Sequence, residues 1–193
     1  MASTAGDPQG AMIDPENKLL WRTNKRRVDA ETLRDSILLI SGSLDPQRGG
    51  PSLPTDFKSE FTFKHTSNKR SIYIPVFRNQ LHEIFSTFDF ANPSFVVGKR
   101  FESTIPTQSL YLMNSPFVNA EAERAGERII RSGATDAERV RLAYRLALGR
   151  EPSAVEADVV MKFIEESKAG EKSGAWSALV HSLFGSVDFR HLD

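Results

Sequence analysis

The sequence predicts a mainly helical α+β domain with one small antiparallel β-hairpin and a C-terminal helical bundle. Three observations carry that expectation. Thr135 with Glu138 and Ser153 with Glu156 have the spacing of capping boxes, in which a hydroxyl and a carboxylate satisfy the free backbone donors of a first helical turn. Apolar residues recur at helical spacing through the last third of the chain. Phe57, Ser59, Phe61 and Phe63 alternate with Lys58, Glu60, Thr62 and Lys64, the period of a strand with one buried face.

Taken in order, residues 1–13 are small and polar with Gly and Pro, and read as a flexible leader that cannot bury enough apolar area to offset ordering. A helical domain with the hairpin follows over residues 14–131. A short helix is expected from Glu16 to Arg22. Asp29 then supplies an N-cap for a helix whose Leu33, Ile37, Leu38, Ile40 and Leu44 form an apolar face, with Gly42 as its stop. Residues 45–55 are loop, because Pro and Gly interrupt helices and ladders alike. The hairpin is expected over about 57–77, Ile72–Phe77 pairing with Phe57–Phe63 across the turn His65–Lys69, with Pro75 confining the second strand to an edge.

Gln80–Phe88 reads as a short helix with Leu81, Ile84, Phe85 and Phe88 on one side. Thr104-Ile-Pro-Thr107 starts another over Gln108–Met113, and Ser115-Pro116 reopens a helix running to about Arg131. Residues 132–193 form the C-terminal bundle, expected to pack on the same domain. Its faces are Val140, Ala143, Leu146 and Ala147; Val155, Val159 and Phe163; and Trp176, Leu179, Val180, Leu183 and Phe184. Gly133 and Gly149 are the stops between helices, and Gly170–Gly174 is a loop.

Composition excludes several functions. Lys plus Arg equals Asp plus Glu at 25 each, which removes the global attraction on which non-specific nucleic-acid binding depends. The local basic run Asn24-Lys-Arg-Arg27 sits among Glu16, Asp29 and Glu31 and reads as solvated surface. With no cysteine there is no disulfide, thiolate metal site, cysteine nucleophile or covalent c-type haem attachment in this chain. No apolar run approaches the roughly 20 residues that span a bilayer. The start Met1–Gly10 lacks the apolar core of a signal peptide, so the chain as written is expected in the cytoplasm.

Chemistry has few footholds. No Gly-x-Ser-x-Gly elbow or phosphate-binding loop is present, and Gly49-Gly50 lacks the Lys-Ser/Thr that a phosphate loop requires. The four histidines show no His-x-x-x-His or His-Glu-x-x-His spacing, so neither metal nor cofactor is expected. The weak catalytic candidates are Asp35, Asp89 and Glu102, which could act as acid and base if two of them converge across a cleft, and His82, which has Arg78, Glu83 and Asp89 nearby in sequence. Asp89 lies between Phe88 and Phe90, and a carboxylate buried there needs a partner. Arg78 or Arg100 is the simplest one. Together with Gln108 and Asn114 these residues are expected to form a structural polar network.

Five segments carry a family resemblance: Asp14-Pro-Glu-Asn-Lys-Leu-Leu-Trp-Arg22, Arg27-Val-Asp-Ala-Glu-Thr-Leu-Arg-Asp35, Arg70–Asn79, Phe88–Pro93 and Ile105–Pro116. The sequence resembles the C-terminal uncharacterised domain of large planctomycete proteins that often carry a cytochrome c module upstream. The resemblance implies export within a longer protein, a protein partner or upstream domains, and no assigned catalytic residue. The expected function is therefore a non-catalytic interaction or scaffolding module for a neighbouring redox or hydrolytic module. The alternative is an enzyme or carbohydrate-binding module acting on glycans through an Asp/Glu acid–base pair, with aromatic residues stacking on sugar.

Overall fold

In the computed structural model, which describes residues 7–132, 135–167 and 172–192, the chain is mainly helical. In chain order its helices are α1 (Pro8–Ile13), α2 (Ala30–Ser41), α3 (Glu83–Thr87), α4 (Pro106–Asn114), α5 (Pro116–Ser132), α6 (Asp136–Leu148), α7 (Ala154–Glu166) and α8 (Lys172–Gly185). Two short strands, β1 (Arg26–Arg27) and β2 (His191–Leu192), pair antiparallel in the register Arg26 to Leu192 and Arg27 to His191. The small antiparallel element thus joins the two ends of the fold rather than forming a hairpin at 57–77.

The centre is made by α5 and α8, which pack most extensively, with α2 against α5. Ala122, Ala125 and Ile129 of α5 meet Trp176, Val180 and Phe184 of α8, and Leu33 and Ile37 of α2 belong to the same core. Small residues let the two central helices approach closely: a Cβ on Gly126 would lie 2.7 Å from the backbone nitrogen of Ser177.

Local chemistry sets the ends of the helices. The Asp29 carboxylate accepts from the Thr32 N–H at 2.7 Å, and Gly42 closes α2 in the left-handed region at φ +82°. Both capping boxes form as the spacing predicts, with Thr135 and Glu138 opening α6 and Ser153 and Glu156 opening α7. Gly149 ends α6 at φ +67°. Gly133, expected as a stop, lies outside the described residues, as do Gly170 and Glu171, whereas Lys172–Gly174 belong to α8 rather than to a loop.

Four expectations are corrected. Residues 16–22 are turns, not helix, because side chains take over the backbone partners. Asp14 accepts from the N–H groups of Lys18 and Leu19, and the Asn17 amide donates to the Arg22 carbonyl. Phe57–Phe77 is not a strand pair. A 3₁₀ turn at Glu60–Thr62 rotates Phe61 out to solvent, so the alternation breaks there. Phe57, Phe63 and Phe77 still cluster, at centroid distances of 5.6 and 5.2 Å from Phe77. The α7 stripe Val155, Val159 and Phe163 faces solvent, while Val160 and Ile164 are buried. Apolar residues on several sides of α7 left its orientation open to tertiary packing. Finally, within the stretch expected as leader, Pro8–Ile13 is helical and capped by Asp7.

Arg34 explains how the long loop before α3 is held without a ladder. Its buried guanidinium donates to the carbonyls of Lys69, at 2.9 Å, and Ser67, and to the Ser71 hydroxyl. Desolvation lowers the pKa of this guanidinium, opposed by the charges of Asp35, Tyr111 and Glu121.

Candidate functional site

The root of the 89–105 segment is the most tightly built polar cluster. Asp89 adopts φ +57°, a conformation that Asp tolerates better than most residues. Its carboxylate accepts from Arg27 Nη2 at 2.7 Å, from the Ser103 N–H at 2.8 Å and from the Ser103 hydroxyl at 2.9 Å. Arg27 also donates to the Ser103 carbonyl. Gln108 Nε2 donates to the Thr87 carbonyl at 3.2 Å and to the Ser103 hydroxyl at 3.3 Å. The ion pair is largely enclosed, with side-chain exposures of 7% for Arg27 and 19% for Asp89. Burial alone would raise the Asp89 pKa, but hydrogen bonds from Ser103 and Arg27 outweigh it and hold the carboxyl below its ordinary value.

Asp89 and Gln108 therefore meet through Ser103, while the other expected members lie elsewhere. Arg100 forms a bidentate pair with Glu31 at 2.7 and 2.8 Å and stacks its guanidinium over Phe90. Asn114 donates to Leu110 within its own helix. Arg78 is exposed. The partner that sequence reasoning missed is Arg27, whose place in a basic run reads as solvated surface. The signal available was its place one residue before Val28, whose half-buried side chain packs on the core.

The catalytic candidates do not converge. Asp35 accepts from the Ser71 N–H at 2.8 Å and hydroxyl at 2.7 Å, which makes it an anchor of the loop. Glu102 is exposed. The best-formed concavities, of about 230 to 470 Å³, are lined by none of Asp35, Asp89, Glu102 or His82. Among the described residues no group of three or more His, Asp or Glu side chains could hold a metal.

His82 sits instead among aromatic rings, 4.8 Å from His65 and 5.4 Å from Phe85 between centroids. Desolvation, and then the charges of His65 and Arg34, push its pKa down to about 3, so the ring is neutral. His65 is lowered for the same first reason, with the Arg34 charge next; the Gln80 backbone opposes them.

Beyond the polar root, the segment displays apolar side chains. Phe95 is 73% exposed and Phe101 84%, with Val96 fully in water and Ile105 partly so. Leu110 and Met113 continue this on the outer face of α4.

No curated protein and no solved structure compared with the chain matches it. The sequence pattern of the family described as PSD1, protein of unknown function (DUF1553), matches residues 1–164, and the chain belongs to that family.

Proposed function

We propose that this chain is a non-catalytic interaction module whose 95–113 surface docks on a neighbouring protein or domain. The observation that carries the reading is the pairing of a rigid root at Arg27, Asp89 and Ser103 with the solvent-facing Phe95, Val96 and Phe101. Apolar residues scattered singly are ordinary on a surface, but several within one pinned segment mark a contact site. The resemblance to C-terminal domains of longer planctomycete proteins supplies the partner class: a redox or hydrolytic module, cytochrome-bearing or secreted, that works beside this one. The glycan-directed reading lacks comparable support, since Asp35 and Asp89 are occupied by Ser71 and by Arg27 with Ser103.

Affinity capture from native extract with the purified chain tests this, comparing the wild type with a Phe95→Asp/Phe101→Asp variant of equal melting temperature. Capture of a cytochrome-bearing or hydrolase protein by the wild type, lost in the variant, supports the reading. Equal capture by both refutes the surface. Glycan turnover that disappears in Asp35→Asn or Asp89→Asn while the fold persists would replace the scaffold with an enzyme.

A further inference from the structure

His65 and His82 face each other in a place that cannot accommodate a second proton on either ring. Their centroids lie 4.8 Å apart, and Nδ1 and Nε2 of His65 and Nδ1 of His82 are out of water without a hydrogen-bond partner. Phe63 and Phe77 close on His65 at 4.9 and 6.1 Å, and Phe85 on His82 at 5.4 Å. From α2 the buried guanidinium of Arg34 acts on both rings, and no carboxylate figures among the charges acting on either. Asp35 of α2, Tyr111 of α4 and Glu121 of α5 act on Arg34 instead, while Glu83, next to His82 on α3, is exposed. An imidazolium formed here would meet apolar rings, a second imidazole and a permanent cation, all of which disfavour the charged form.

We propose that His65 and His82 are an acid-sensitive latch: in mildly acidic surroundings, protonation of the pair lifts the aromatic layer of Phe57, Phe63, His65 and Phe77 away from His82 and α3 while the helical core stays folded. The layer can move as a unit. Phe57, Phe63 and Phe77 pack on one another at 5.2 to 6.0 Å, and the Asn79 amide donates to Glu60 at 2.6 Å. Its backbone is held by local turns rather than by a ladder to the rest of the fold: the N–H groups of Thr62, Phe63 and Thr66 donate to the carbonyls of Ser59, Glu60 and Lys64. A region tied down mainly by ring contacts is one that opens locally at low cost. The stretch between its two halves stays in place, because Arg34 donates to the Ser67 and Lys69 carbonyls and Asp35 accepts from the Ser71 N–H.

The direction follows from linkage. Both rings are held below their ordinary pKa while the layer is closed and return to about 6.5 once exposed. The open form therefore takes up protons that the closed form refuses, and the closed form loses ground as pH falls below about 6.5. With His82 at about 3 when closed, that ring alone raises the ratio of open to closed about 30-fold between about pH 7.5 and pH 5. His65 adds to it.

NMR of the full chain with labelled His, Phe and Trp rings, taken from about pH 7.5 to pH 4, tests the latch across the range in which exposed histidines charge. His65 and His82 should charge together, in the same step in which Phe63 and Phe77 lose their packed ring shifts, with Trp176 and Phe184 of the core unmoved. In His65→Phe/His82→Phe, which keeps an aromatic ring at both places, the Phe63 and Phe77 shifts should hold over the same range. That variant shares every carboxylate with the wild type, so it separates the latch from protonation of groups such as Asp35. Charging of either imidazole while Phe63 and Phe77 stay packed overturns the proposal. So do rings that stay neutral throughout, a core that unfolds in the same step, or a double variant that opens at the wild-type pH; if the double variant does not fold, the wild-type titration decides alone.

Discussion

Replacing Asp89 with Ala should be among the most damaging exchanges on the surface of this protein, and its cost can be worked from the contacts. The change removes the carboxylate that pairs with Arg27, whose side chain is 7% exposed and whose Nε already lacks a partner. It also strips an acceptor from the Ser103 N–H and hydroxyl. Stranding one member of an enclosed pair costs about 3–5 kcal/mol, and the 19% exposure of Asp89 favours the lower end. In a domain of this size that corresponds to a fall in melting temperature of about 6–20 °C. Asp89→Asn keeps an acceptor and tolerates φ +57°, so it should lose less. The discriminating variant is Asp89→Ala with Arg27→Met, in which the stranded guanidinium is removed together with its partner. It should be more stable than Asp89→Ala alone, measured by urea unfolding followed by circular dichroism. A melting temperature for Asp89→Ala within about 2 °C of the wild type, under the usual conversion, would refute the reasoning, as would a double variant less stable than the single one. The pH dependence has a definite sign. The Asp89 pKa is lowered in the folded state, so its contribution is complete above the unfolded value of about 4 and declines as pH falls below it.

Other parts of the fold yield further expectations. Gly126→Ala places a methyl 2.7 Å from the Ser177 backbone nitrogen, and because backbone cannot rotate away, α5 and α8 must separate; a loss of about 1–3 kcal/mol in urea unfolding is expected. Ser153→Ala removes a capping box from α7 and should cost about 1 kcal/mol by the same measurement. A chain truncated after Ile164, at the end of the family match, loses Trp176, Val180 and Phe184 from the core and should show no cooperative thermal transition.

Much of the helical architecture was legible because its signals are local. Asp29, Gly42, Thr135 with Glu138 and Ser153 with Glu156 each act within one turn, and the structure uses them as the spacing implies. The failures were of two kinds, local side-chain competition that periodicity does not weigh and distant partners that it cannot see. Asp14 and Asn17 replace helical hydrogen bonds at 16–22 with side-chain ones, and a 3₁₀ turn interrupts the Phe57–Phe63 alternation that periodicity alone suggested. The α7 stripe was assigned to the wrong side because its burial depends on how α6 and α8 meet it. In the polar cluster, Asp89 and Gln108 could be anticipated from residue type and apolar neighbours, whereas Arg27 is 62 residues from Asp89 in sequence and nothing local joins them.

That long-range partner ties the proposed docking surface to the chain's far end. Arg27 belongs to β1, which pairs with His191 and Leu192, and the Val28 N–H donates to the Arg190 carbonyl at 2.9 Å. Phe189 and Arg190 are themselves buried, Phe189 lying 5.0 Å from Phe184 of α8. The 89–105 segment is thus anchored, through Asp89 and Arg27, to the strand pair and the end of α8. Phe189 to Leu192, beyond the family match, help to hold that segment's base. Changes at the β2 end should therefore weaken docking through position rather than contact, lowering the melting temperature together with partner capture, whereas Phe95→Asp and Phe101→Asp should lower capture alone. If a variant that disrupts β2 pairing leaves partner capture untouched while Phe101→Asp abolishes it, the segment holds its shape without this anchor and the coupling argued from Arg27 is wrong.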